Sequence, residues 1–209
     1  MNITNSIFTS NLSHSNGGVI SIMSRNDDDD DDIQNSNNQL TLLNSTLSEN
    51  SARYFGGVFY ININNKNDYL FDINDNLFEN NTAGVAGAVF FLSNNYQKYQ
   101  PEEFMDYNKF YNNHANSHGD NFASNPSIIY YNDTNKLSNK PLKLISGNSI
   151  NFNVQLYDEF NHLIDDKEKY YSNINFQVDL INSDNSTLNT KQYKILNNII
   201  IIEHGKKYF

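Results

Sequence analysis

The sequence predicts an all-β fold built mainly from a parallel β-helix, and two observations carry this prediction. An apolar-x-x-Asn motif occurs four times, and a glycine follows each of its asparagines by six residues. These glycines are Gly17, Gly56, Gly87 and Gly119, at intervals of 39, 31 and 32 residues. A repeat of this length is typical of solenoids, in which each unit buries its apolar face against its neighbours.

Apolar residues in the repeats alternate with a period of two, as in strands, and show no 3.6-residue period of a helix. The predicted inward columns are Ile20, Phe59 and Phe90; Ile22, Ile61 and Leu92; and Ile3, Leu42, Ile73 and Met105. A column of small residues contains Ser13, Ala52, Ala83 and Ala115. The pattern therefore predicts about three short strands in each repeat, and about four coils over residues 1–131.

The asparagines of the motif predict a structural ladder. They are Asn11, Asn50, Asn81 and Asn113. At aligned turns, an inward amide can bond main-chain groups and the equivalent amide one coil away, because stacked strands lie about 4.8 Å apart. Asn accounts for 40 of 209 residues, so composition alone produces some matches. Four matches in one register with the glycines favour the ladder.

The repeats resemble those of polymorphic outer-membrane proteins and related right-handed parallel β-helix proteins. The resemblance rests on the motif Phe78-Glu79-Asn80-Asn81 and on strands such as Gly56-Gly57-Val58-Phe59. The segment Gly119–Pro126 is similar to an element that ends such helices in very large ciliate surface and transmembrane proteins, where β-sandwich modules follow. The resemblance implies a right-handed helix and a place in a cell-surface protein.

Composition excludes several classes of function. The net charge of −10 argues against a general nucleic-acid-binding protein, which needs a basic surface. The absence of cysteine excludes a disulfide framework and thiol chemistry. The acidic run Asp27–Asp32 is interpreted as part of a solvated loop, with a calcium site as the alternative. No cofactor or metal is expected.

The ends of the sequence predict that this chain is part of a larger protein. We expect no signal peptide within this segment, because its first residues have neither a basic nor an apolar region, and no apolar run approaches the roughly 20 residues of a membrane span. Both ends stop inside strand patterns, so we expect neighbouring chain to cover them. We therefore expect an extracellular location, in a membrane-anchored or secreted protein. An intracellular scaffold is the alternative.

Six Asn-x-Ser/Thr sequons occur, and four of them are candidate glycosylation sites: Asn2, Asn44, Asn132 and Asn185. Asn11 and Asn80 also begin sequons. Asn11 belongs to the predicted interior ladder, where an amide cannot carry a glycan. The high asparagine content makes sequons weak support for a secretory route.

A second module is predicted beyond the repeats. Residues 132–141 form a polar segment ending in proline and indicate a linker. Alternating strands are then predicted at 150–157, 174–180 and 193–202, separated at first by a turn at 158–162. These strands indicate an immunoglobulin-like β-sandwich over residues 142–209. The segment is shorter than the roughly 100 residues of such a domain, so we expect a partial one.

Two groups of side chains could carry chemistry. Asp72 and Asp106 are predicted to point outward from neighbouring coils, roughly 8 Å apart, which suits an inverting acid and base. Outward acids are also ordinary solenoid surface. His114 and His118 lie four residues apart in a predicted solvated turn, a poor arrangement for a metal.

The predicted outward column Tyr60 and Phe91 could bind sugars or a protein partner, or pack beneath a loop. Two classes of function follow from these observations. The first is a non-enzymatic structural or adhesion segment, with a carbohydrate or another surface protein as its partner. The alternative is a polysaccharide lyase or hydrolase that uses Asp72 and Asp106.

Overall fold

The computed structural model describes residues 1–23, 38–63, 69–91, 105–131, 153–171, 174–177, 199–202 and 206–208. These residues form an all-β fold in which strands from successive repeats pair in parallel, as in a solenoid. Asp27–Asp32 and the predicted linker 132–141 lie outside the described residues.

Four parallel sheets run along the stack. Sheet 1 contains β1 (Asn2–Thr4), β5 (Asn38–Leu43) and β9 (Tyr69–Asn74). Sheet 2 contains β2 (Ile7–Thr9), β6 (Thr46–Ser48), β10 (Leu77–Glu79) and β13 (Lys109–Tyr111). Sheet 3 contains β3 (Leu12–Ser13), β7 (Ser51–Ala52), β11 (Thr82–Ala83) and β14 (His114–Ala115). Sheet 4 contains β4 (Ile20–Met23), β8 (Phe59–Asn62), β12 (Val89–Phe91) and β15 (Phe122–Ser124).

The apolar residues of the motif stack inside the solenoid. In sheet 2, Phe8 pairs with Leu47, Leu47 with Phe78, and Phe78 with Phe110. The rings of Phe78 and Phe110 are stacked, with centroids 4.9 Å apart. Each coil thus buries its apolar column against the next one, which a single repeat cannot do.

Left-handed residues form the corners of each coil. Positive φ angles occur at Asn5, Asn44 and Asp75; at Ser10, Glu49, Asn80 and Asn112; and at Gly17, Gly56, Ala86 and Gly119. The first two corners use mainly Asn, Asp and Ser, whose short polar side chains suit turns, and Asn and Asp tolerate this conformation best. The third uses glycine in three of its four positions, since glycine has no Cβ to clash with the backbone.

The third coil has a register different from the predicted one. Val89 pairs with Phe59, and Phe91 pairs with Ile61, so the strand is shifted by one residue. The left-handed residue equivalent to Gly56 is therefore Ala86, with φ of 56°, and not Gly87. Gly87 instead continues the adjacent column of Gly18 and Gly57. The turn before Gly87 is one residue shorter than in the second coil, because Gly84 alone takes the place of Arg53 and Tyr54.

This shift exchanges the aromatic columns of the third coil. Phe91 packs in the apolar interior, whereas Phe90 lies beside Tyr60 on the outer face of sheet 4. The predicted inward position of Phe90 and outward position of Phe91 are therefore wrong. Leu92, predicted to point inward, lies outside the described residues.

Met105 does not join the apolar column of Ile3, Leu42 and Ile73. It lies in a helical turn at residues 105–107, and its side chain is 44% exposed. Sheet 1 consequently has three strands where sheets 2, 3 and 4 each have four. The first three residues of that column pair in register, as predicted.

Antiparallel strands follow the parallel stack. They are β16 (Pro126–Tyr131), β17 (Asn153–Asp158), β18 (Ile174–Gln177), β19 (Ile199–Ile202) and β20 (Lys206–Tyr208). β17 pairs with both β16 and β20, and β18 pairs with β19. Residues 126–131, assigned by the sequence to the β-helix segment, thus pair with a strand beyond the predicted linker.

Candidate functional site

The motif asparagines lie in one hydrogen-bonded ladder. The main-chain N and Nδ2 of Asn50 both donate to Asn81 Oδ1, at 2.9 and 3.0 Å. Asn81 repeats the arrangement onto Asn113 Oδ1, at 3.0 and 2.9 Å. Asn81 Nδ2 also donates to Leu47 O at 2.9 Å, so each amide bonds the main chain of the preceding coil. Asn50, Asn81 and Asn113 are buried, but Asn11, predicted to be inside, is exposed because only one coil flanks it.

A second ladder, which the sequence analysis missed, runs along another corner. Its members are Ser6, Ser45, Asn76 and Asn108. Asn76 N and Nδ2 donate to Asn108 Oδ1 at 3.1 and 3.0 Å, and Asn76 Nδ2 donates to Leu42 O at 2.8 Å. Each member lies two residues before the apolar residue of the motif, and this constant offset is the signal that could have identified it.

Asp120 and Asn121 satisfy the last coil. Asn121 Oδ1 accepts a hydrogen bond from Asn113 Nδ2 at 3.2 Å, in place of a further ladder residue. Asp120 Oδ1 accepts from the main-chain N of Ala115 at 2.9 Å. The segment Gly119–Pro126 therefore caps polar groups that another coil would otherwise satisfy.

Segment 158–171 packs against the end and the outer face of the solenoid, and we call this contact the junction. At the end, the ring of Phe160 packs against Phe91 and Phe122, with centroids 6.2 and 5.1 Å away. Phe160 thus covers the last apolar residues of the interior. On the outer face, the Tyr170 ring occupies the space that a side chain at Gly84 would need. Asn116 Nδ2 donates to Tyr170 Oη at 3.1 Å.

The outer aromatic column is buried beneath this segment. Tyr60 and Phe90 stack in parallel, with centroids 5.7 Å apart, and Phe55 lies 4.6 Å from Phe90. Tyr171 covers them, at 5.6 Å from Phe55. The column is therefore part of an apolar cluster inside the chain and offers no exposed strip to a sugar.

A buried carboxylate organises the junction. Asp158 is fully buried and accepts hydrogen bonds from the main-chain N atoms of Ser124, Phe160 and His162, at 3.1, 3.0 and 2.8 Å. His162 Nδ1 lies 3.0 Å from Asp158 Oδ2. A buried charge is tolerated only when hydrogen bonds replace water, and these bonds include one from the solenoid at Ser124.

His118 is buried at the junction, although the sequence placed it in a solvated turn. Its Nε2 lies 3.3 Å from Ser124 O and 3.9 Å from Asp158 Oδ2, and its Nδ1 lies 3.0 Å from Ser117 Oγ. A neutral ring with its proton on Nε2 can donate to Ser124 O and accept from Ser117. His114, by contrast, is exposed.

Burial shifts the pKa of three groups here. Burial lowers the pKa of His118 below its usual value, although the nearby Asp158 carboxylate opposes this shift. Burial raises the pKa of Tyr171, and Asp158 and Asp166 raise it further. Burial, together with Asp158, also raises the pKa of Glu159. Since His118 gains a proton less readily than an ordinary histidine, the junction is adapted to a neutral His118.

Acidification is expected to weaken the fold through His118. Because the pKa of His118 is lowered in the folded chain, the unfolded chain binds more protons below about pH 6.5. The contribution of His118 to the free energy of unfolding is therefore fully present above that pH and is lost as the pH falls. The Asp158 and Asp166 carboxylates near the ring oppose the lowered pKa of His118, and His162 adds to it. Tyr171, whose own pKa is raised, is a neutral neighbour. The loss cannot exceed about 1.4 kcal/mol per pH unit for one proton.

Urea unfolding at pH 7.0, 6.0 and 5.5 measures this loss of stability, and His118→Asn should reduce the dependence of stability on pH. An equal slope in both proteins would contradict this prediction.

Asp72 and Asp106 lie in different surroundings. Asp72 is on β9, and its Oδ1 accepts a hydrogen bond from Asn74 Nδ2 at 2.6 Å. Asp106 lies in the helical turn and not on a strand, so the strand geometry behind the predicted 8 Å separation does not apply. Asp106 lines a groove of about 510 Å³ in which the other carboxylate is that of Asp75.

The sequons are divided between exposed and undescribed positions. Asn2 and Asn44 are exposed, and Asn44 Nδ2 donates to Asn5 Oδ1 at 2.6 Å. Asn80 is also exposed, at a left-handed corner. Asn132 and Asn185 lie outside the described residues.

The described residues contain neither a candidate metal site nor a candidate membrane-spanning helix. No group of three or more His, Asp or Glu side chains there is arranged to hold a metal ion. No helix in the described part of the chain has the length and apolar character to cross a bilayer. Comparison with protein-family models, with curated proteins and with solved structures found no match to this chain.

Proposed function

We propose that this chain is a non-enzymatic structural and adhesion segment of a large cell-surface or secreted protein. The junction is the observation that carries the proposal. Segment 158–171 contacts the interior through Phe160, the outer face through Tyr170 and the main chain through Asp158. A joint with these three contacts, one of them fully buried, fixes the direction in which the chain leaves the solenoid.

Such a joint suits a rigid spacer. Two ladders and four parallel sheets couple each coil to the next, so a force applied along the stack is shared among many hydrogen bonds. The buried Asp158 adds the bond from Ser124 N, which breaks when the segment separates from the solenoid. A protein that presents a binding surface away from a cell needs this stiffness, whereas a mobile linker would lose it.

The proposal includes a finer description of the fold. We propose that the coils wind as a right-handed parallel β-helix, because parallel strands joined by a crossover are right-handed in nearly all proteins. The antiparallel pairs of β17 with β20 and of β18 with β19 fit two sheets of a partial immunoglobulin-like sandwich. Repeats followed by such a module are the arrangement of the surface proteins that the sequence resembles.

An extracellular location is part of the proposal. Exposed sequons at Asn2 and Asn44 are compatible with it, as are its expected partners, a carbohydrate or another surface protein. Antibodies against the folded chain should stain intact, unpermeabilised cells, and anti-tubulin staining serves as the control for membrane integrity. Staining that requires permeabilisation would exclude the surface location.

The enzymatic alternative has a separate test. We expect the purified chain to release no reducing ends from a panel of polysaccharides, because Asp72 and Asp106 do not line one groove. Release of reducing ends that is lost in Asp72→Asn would overturn the non-enzymatic proposal. Thr41→Ala, beside Asp72 in the sheet, serves as the control variant.

A further inference from the structure

The outer surface of the second to fourth coils carries a polar groove. Asp75, Asp106, Tyr107 and Lys109 are exposed along it, and the buried ladder residues Ser45, Asn76 and Asn108 also line it. Its volume is about 510 Å³. The groove therefore runs parallel to the stack, across a repeating surface whose coils lie about 4.8 Å apart.

One exposed tyrosine lines the groove, and a second lies on the strand that carries Lys109. Tyr107 lines the groove and is 61% exposed, and Tyr111 is 55% exposed. Lys109 and Tyr111 are the outward residues of β13, since Phe110 between them points inward. Their side chains thus lie on one face, two strand residues apart. An exposed aromatic ring has an apolar face and a polar edge that suit an amphipathic ligand.

We infer that this groove binds a neutral oligosaccharide. The rings of Tyr107 and Tyr111 would pack against the C–H faces of sugar rings. The carboxylates of Asp75 and Asp106 would accept hydrogen bonds from sugar hydroxyls, and Lys109 would donate one. Aromatic faces with a few converging polar groups are the usual composition of a small-molecule site.

The charged side chains of the groove favour uncharged sugars over acidic ones. Two carboxylates and one ammonium line the groove, and the whole chain has a net charge of −10. An acidic polysaccharide would meet net repulsion, whereas a neutral one is indifferent to the field and gains from the acceptors. The groove is therefore assigned to uncharged sugars.

This inference rests on the proposed adhesion function for its biological meaning, since it names the partner. Binding itself is measured on the purified chain and does not depend on cellular location. If the chain binds the sugar but is not found on the cell surface, only the proposed surface function is overturned. Surface staining without binding would overturn only the present inference.

The experiment is calorimetric titration of the purified chain with cellohexaose, xylohexaose and mannohexaose, and with acidic hexagalacturonate as counter-probe. At least one neutral hexasaccharide should bind, and Tyr107→Ala should weaken that binding about tenfold, or 1.4 kcal/mol. Tyr54→Ala, at an exposed tyrosine outside the groove, should leave it unchanged. Asp106→Asn is a second, isosteric variant should Tyr107→Ala fail to fold. Absence of binding at millimolar concentration, tighter binding of hexagalacturonate, or equal affinity in the groove variants would each overturn the inference.

Discussion

Replacing Gly57 with alanine is expected to abolish the folded solenoid. A Cβ at Gly57 would overlap the carbonyl oxygen of Gly87 and lie 2.8 Å from Thr82 O. Both atoms belong to the main chain of the next coil, which Gly57 N holds by a 3.0 Å bond to Ala86 O. The coils cannot separate without breaking such bonds, so we expect a loss of more than about 4 kcal/mol.

Circular dichroism with thermal melting measures this effect. Ala86→Gly is the matched control, because it changes one methyl group in the adjacent turn and removes a left-handed alanine. We expect it to change stability by no more than about 1 kcal/mol. A Gly57→Ala protein that melts within a few degrees of the parent would show that the close contact between coils is wrong.

Replacing Asn81 with alanine is expected to cost at least about 3 kcal/mol, because a buried polar group left unpaired costs about 1–3 kcal/mol. The change removes the acceptor of Asn50 N and Nδ2, and the donor to Leu47 O and Asn113 Oδ1. In a chain of this size the midpoint of thermal unfolding should fall by roughly 6 to 12 °C.

Thr82→Ala provides the comparison for Asn81→Ala. Thr82 is the next residue, is exposed, and bonds Ser51 Oγ at the surface. Its replacement should alter stability by less than about 0.5 kcal/mol. Equal melting temperatures for the two variants would mean that the ladder does not stabilise the fold.

The repetitive part of the fold could be predicted because side chains and main chain share one period. Asn81 bonds the asparagine at the same place in the next coil, so the repeated motif gives the positions of both partners. The second ladder was missed because it contains two residue types, with serine in the first two coils and asparagine in the next two. Ser45 and Asn76 supply equivalent oxygen acceptors, and a search for one residue type overlooks this equivalence.

The register of the third coil was mispredicted for a physical reason. The left-handed corner usually needs glycine, but alanine can adopt it at a cost of about 1–2 kcal/mol. Ala86 adopts this conformation. Gly87, one residue later, was mistaken for the left-handed glycine of the repeat. The Tyr170 ring packs over the shorter turn at Gly84, so the residue that covers this irregularity lies 86 residues away in the sequence.

The junction could not be predicted from the sequence. Asp158 meets Ser124 and His118 across 34 and 40 residues, without a repeat to align them. Sequence patterns reveal repeat periods and local turns, and a single carboxylate with long-range partners produces neither of these signals. Phe160 and Tyr171 likewise appear as ordinary aromatics until the surfaces beneath them are known.

Native-state hydrogen exchange is the most direct test that the solenoid and segment 158–171 form one rigid unit. The probes are the main-chain amides of Asn81, in the ladder, and of His162 and Tyr171, which bond Asp158 and Asp166. If the junction is rigid, all three amides should exchange with the same free energy of opening, that of global unfolding. Opening of His162 and Tyr171 at a free energy several kcal/mol below that of Asn81 would contradict it.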